Sequence, residues 1–120
     1  MGAWSSNLLE GTAFINESTK ESFVFLEDNN FSATLNVKYS STLNNNVTIE
    51  GYYEAQLVNE GNSHSHLRVK LYWDASTCSY SIHKKGNFYW FDLKDRTGIK
   101  DTAWYCSDLL VKQITPMKKE

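Results

Sequence analysis

The chain has 120 residues, 41% hydrophobic and 14% aromatic, with a formal charge of -2. That length fits one domain over residues 1–120 and leaves no expectation of a second core. The charge gives no global attraction to nucleic acid or anionic lipid, and no apolar run approaches the roughly 18 to 20 residues of a membrane-spanning helix.

The first residues carry neither a basic n-region nor an apolar h-region, so a signal peptide is not expected in this sequence. Met1-Gly2-Ala3-Trp4-Ser5-Ser6 fits the N-myristoylation pattern with Gly2 as acceptor, although no polybasic partner follows it. Beyond it, apolar residues recur with period two, the mark of half-buried strands. In "FSATLNVKY", Phe31, Ala33, Leu35, Val37 and Tyr39 share one face and Ser32, Thr34, Asn36 and Lys38 the other.

The same alternation predicts strands near 12–16, 22–27, 31–39, 47–58, 66–73, 78–84, 88–94 and 102–106. Turn chemistry separates them: Asp28-Asn29-Asn30, Ser40 to Asn46, Asn59 to Ser63, Asp74 to Thr77, Lys85-Gly86-Asn87 and Asp95 to Gly98. About eight short strands so spaced predict an all-β, antiparallel β-barrel or β-sandwich. After Cys106, "SDLLVKQI" fits either a short C-terminal helix capped by Ser107 or a continued strand. Gly2-Ala3-Trp4 ahead of an up-and-down set of strands resembles the G-x-W start of lipocalin-like and avidin-like barrels. The resemblance covers three residues and implies a closed barrel rather than an open sandwich.

Charge is unevenly placed. Glu10, Glu17, Glu21, Glu27 and Asp28 make the first quarter acidic, while Arg68, Lys70, Lys84 and Lys85 make the middle basic. In "LRVKLYW", Leu67, Val69, Leu71 and Trp73 face the core; in "CSYSIHK", Cys78, Tyr80 and Ile82 do. A four-residue loop, Asp74 to Thr77, sets Trp73 opposite Cys78 and Val69 opposite Ile82, with Arg68 facing His83 and His66 facing Lys85 outside. A three-residue loop would exchange the faces of one strand, so the four-residue loop is the reading adopted. Past Gly86-Asn87, Tyr89, Phe91 and Leu93 turn inward. The candidate binding face is therefore Arg68, Lys70, Tyr72, His83, Phe88, Trp90 and Asp92.

Trp, Tyr and Arg are the residue types that dominate interface hot spots. The face accordingly predicts a non-enzymatic module for a protein or glycan partner: an inhibitor, an immunity-type partner, an adhesin or a lectin-like domain. The competing reading is that Phe88 and Trp90 pack under a second sheet, a helix or another subunit, since strands buried on both faces read as continuous apolar runs. Homo-oligomerisation would follow from the same aromatic face. The second functional reading is a lipocalin-like carrier of a small apolar ligand inside a barrel, although large inward side chains favour a filled interior.

Further readings are a small enzyme and a single-stranded nucleic-acid binder. Glu50 and Glu54 lie roughly 13 Å apart along a strand, beyond the ~5 to 9.5 Å of paired glycosidase carboxylates. No nucleophile elbow or phosphate loop occurs, and no cofactor is expected. Few cations and a net negative charge argue against nucleic acid. For metal, the candidates are His64, His66 and His83, with no fourth protein ligand placed and Arg68 set against His83; no metal site is assigned.

Cys78 and Cys106 permit one disulfide, closing a loop of about 28 residues; two free thiols in a reducing cytosol are the alternative. Asn16, Asn30 and Asn46 each begin an N-glycosylation triplet. A secreted or periplasmic location is favoured over a cytoplasmic one.

Overall fold

A computed structural model describes residues 9–38, 44–60, 64–73, 76–97, 106 and 108–115, with the backbone alone for 37, 38, 44–46, 59, 60, 64 and 65. Gly2, the Gly2-Ala3-Trp4 triplet, Ser107 and the side chains of His64 and Asn46 fall outside the described parts. Among the described residues eight strands form: β1 (Ala13–Ile15), β2 (Ser22–Phe25), β3 (Asn30–Lys38), β4 (Asn44–Glu60), β5 (His64–Trp73), β6 (Ser76–Lys85), β7 (Phe88–Thr97) and β8 (Leu109–Thr115). Each pairs antiparallel with its neighbours in sequence, and β1 pairs with β8, so the sheet is a closed up-and-down barrel. Among the described residues, no helix is long and apolar enough to cross a membrane.

The barrel closes because alternation sends one side chain in two to a common interior. Phe23, Phe25, Phe31, Ala33, Leu35, Tyr53, Ala55, Val69, Leu71, Tyr80, Phe91 and Val111 are all buried. Their rings meet in the middle: Phe23 stacks on Phe91 at 4.8 Å, and Tyr53 meets Phe25 edge-on at 4.9 Å. Phe14 packs edge-on against Phe91 at 5.1 Å. These arrangements are the ones the aromatic quadrupole prefers.

The strands also outrun their predicted ends. Each hairpin ladder continues through residues of poor strand propensity: 44–46 pair with β3, 59 and 60 with β5, 76 and 77 with β5, and 95–97 with β6. Asn44 to Asn46, Asn59, Glu60, Ser76, Thr77 and Asp95 to Thr97, expected in turns, all lie in strands. The eighth strand of the barrel is Leu109–Thr115; of the strand expected at 102–106, residues 102–105 lie outside the described residues, and Cys106 is in no strand. The two-way reading of "SDLLVKQI" thus resolves, over Leu109–Thr115, to a strand in which Leu109 and Val111 are buried and Leu110 and Lys112 exposed.

Local chemistry makes the tight turns. Asp28 and Asn29 both take positive φ between β2 and β3, and the Asn30 amide donates to the Glu27 carbonyl at 3.2 Å. Asn tolerates that region better than most residues, which is what a two-residue hairpin turn demands. Gly86 (φ 63°) serves the β6–β7 turn, where Lys85 pairs with Phe88. In β4, a Cβ on Gly51 would overlap the Tyr72 carbonyl oxygen, so only glycine lets β5 approach so closely there.

Cys78 and Cys106 form a disulfide, with Cα atoms 6.1 Å apart. It ties the start of β6 to the residues just before β8. Asp108 and Arg96 hold the same segment against β7: the Leu93 amide donates to Asp108 Oδ1 at 2.9 Å, and Arg96 donates to the Cys106 carbonyl at 3.1 Å.

Candidate functional site

The β5–β6 register differs from the expected one by two residues. Trp73 pairs with Ser76, Leu71 with Cys78, Val69 with Tyr80 and Leu67 with Ile82, so the connection is residues 74–75 rather than a four-residue loop. A shift of two keeps every side chain on its face, because the strand period is two. The outward set therefore stands while its cross-strand partners change. Arg68 opposes Ser81 rather than His83, Lys70 opposes Ser79, and Tyr72 opposes Thr77.

His66 comes beside His83 rather than Lys85, their ring centroids 5.1 Å apart. On its other side His83 pairs with Trp90, at 5.7 Å between rings, and Trp90 pairs in turn with Leu110 on β8. One row across the barrel wall is thus His66, His83, Trp90 and Leu110. The neighbouring row is Gln56, Arg68, Ser81 and Asp92.

Trp90 lies outside the core, half-buried, with the Lys85 ammonium 4.9 Å above its ring. That distance is within cation–π range. Phe88 is 41% exposed, and Leu110 and Ile114 on the adjacent strand are 46% and 57% exposed. No second sheet or helix covers these side chains among the described residues. Leu110 and Ile114 escaped the sequence reading because "LLVKQI" fits a helical and a strand period alike.

Asp92 is the hub of the charges here. Lys94 Nζ lies 3.0 Å from its carboxylate and His83 Nε2 3.8 Å away. Lys94 was not foreseen; a β-bulge opposite Ser79 and Tyr80 interrupts the regular register beside it. Tyr72 stands apart, roughly 13 Å along β5 from Arg68. Its ring stacks on Tyr52 at 4.6 Å and its hydroxyl donates to Glu54 at 2.9 Å. Burial and then that carboxylate push the Tyr72 hydroxyl up to about 12. It therefore belongs to the margin of the face rather than to its centre.

Arg68 is half-buried, and among the described residues it makes no hydrogen bond or ion pair. Among the described residues no three His, Cys, Asp or Glu side chains are grouped to hold a metal ion. Comparison of the chain with protein-family models, with curated proteins and with solved structures gives no match.

Proposed function

We propose that this chain acts as one non-enzymatic binding domain and engages a protein partner through the outer wall of β5 to β8. The observation that carries this reading is the exposed apolar pair of Phe88 and Leu110 next to Trp90, with Ile114 farther along β8, on the same wall as an Arg68 that makes no hydrogen bond or ion pair among the described residues. Aromatic and Arg side chains on a surface supply contact area and planar hydrogen bonding at little conformational cost. Arg68, Lys70, His83, Phe88, Trp90 and Asp92 form the working face, with Tyr72 at its edge.

Protein is favoured over glycan for two reasons. Lys85 sits over the Trp90 ring, where a sugar would stack, and Leu110 and Ile114 add aliphatic surface that suits a polypeptide. An interior apolar ligand is disfavoured by the rings that meet inside the barrel. The disulfide fits an oxidising compartment and supports a secreted or periplasmic setting.

The test is affinity capture from native extract with the wild-type chain and with Arg68→Ala/Trp90→Ala. The captured species is then identified and titrated calorimetrically. A partner that binds the wild type and loses affinity for the double variant supports the reading; unchanged capture removes the site.

A further inference from the structure

We propose that the partner presents an acidic polypeptide segment, with Arg68 receiving one of its carboxylates and its apolar side chains resting on Phe88, Trp90 and Leu110. This rests on the reading of the face as a protein-binding surface and goes beyond it by giving the partner a charge and a point of contact.

The cross-strand neighbours of Arg68 are Gln56 and Ser81, neither of them charged. Both nearby carboxylates are engaged elsewhere. Glu54 accepts the Tyr72 hydroxyl, and Asp92, about 10 Å away across two strand spacings, is held by Lys94. A guanidinium keeps its charge throughout the accessible pH range and presents donors in a planar fork. Half-buried and without an acceptor among the described residues, it is a site whose donors an incoming carboxylate satisfies two at a time.

The sign of the surroundings agrees. Lys70 follows on the same side of β5, and Lys85 and Lys94 flank the aromatic group. Of the exposed acidic residues, Glu27 and Asp28 lie on the turn between β2 and β3, whereas Glu17 reaches Lys112 of β8 at 4.0 Å and Asp95 lies on β7 opposite Ser79. Carboxylates are present on this wall too, with Glu54 opposite Lys70 and Asp92 paired with Lys94, and it is at Arg68 and Lys85 that an anionic segment finds complementary charge.

The experiment pans a randomised peptide library against the whole disulfide-bonded chain and measures recovered peptides by fluorescence polarisation. The expected peptides carry Asp or Glu beside Leu, Ile or Phe, and their affinity falls as salt rises. Arg68→Gln weakens them at least about tenfold, the loss of a charged hydrogen-bonding partner. Arg68→Lys restores part of the salt dependence without full affinity, whereas Lys20→Gln, the same charge change on the β1–β2 turn, leaves affinity unchanged. Thermal melting of Arg68→Gln near the wild-type midpoint shows that the fold is kept.

Neutral or basic peptides that need Trp90 but not Arg68 would overturn the acidic segment while leaving the face intact. Peptides indifferent to both Arg68→Gln and Trp90→Ala would remove the face as well. Self-association abolished by Trp90→Ala would assign the wall to a second copy, and preference for a sulfated oligosaccharide over every peptide would assign it to a glycan; each overturns the proposal.

Discussion

Trp90 and Phe91 are adjacent in β7 and stand on opposite sides of the barrel wall: Phe91 is fully buried and stacked on Phe23 at 4.8 Å, while Trp90 lies outside beneath Lys85. One peptide bond thus separates a core residue from a surface one. Phe91→Ala is expected to cost about 3 to 5 kcal/mol, the usual loss for a buried ring. Trp90→Ala is expected to cost under about 1.5 kcal/mol, since it forfeits one cation–π contact and partial burial. Urea denaturation of the two variants measures both; equal losses would mean that the wall has no outer face at β7.

Gly51 faces the backbone of Tyr72 so closely that a methyl group meets the carbonyl oxygen and crowds the Phe31 ring at 3.1 Å. Gly51→Ala is therefore expected to destabilise the barrel by about 2 kcal/mol or more, as overpacking against backbone does. The denaturation midpoint checks this. A neutral result would show that β4 and β5 separate there without cost.

The Cys78–Cys106 disulfide spans 28 residues of sequence. Replacing both with Ala is expected to lower stability by about 3 to 4 kcal/mol on the chain-entropy account. Thiol titration of the denatured wild-type chain should find no reactive thiol before reduction and two after.

Alkaline pH reports on Tyr53 and Tyr72. Burial, then the charge of Glu10, pushes the Tyr53 hydroxyl from 10.0 to about 12; burial, then Glu54, does the same to Tyr72. The folded state holds these protons more tightly than the unfolded chain. Their contribution to stability is thus whole below pH 10 and is lost as the pH climbs through 10 toward 12. Melting temperature measured across that window should fall, and Tyr72→Phe should make the fall shallower.

Which residues face inward was legible from the sequence, because alternation is a direct imprint of the strand period. Val69, Leu71, Tyr80, Ile82 and Phe91 all lie inside as that period requires. Register was not legible. A two-residue slip of β5 against β6 preserves every face, so alternation cannot separate Arg68 opposite His83 from Arg68 opposite Ser81. Nor was the β8 part of the wall, where Leu110 and Ile114 emerge only once Leu109–Thr115 is known to pair with β7 and β1. Pairing with β6 likewise overrode the turn propensity of Asp95 to Thr97.

Hydroxyl-radical footprinting of the chain, free and bound to its captured partner, asks most directly whether the outer wall is where binding happens. Protection of Phe88, Trp90 and His83, with Tyr52 unchanged, is the predicted pattern. Undiminished oxidation of Phe88 and Trp90 in the complex would contradict it.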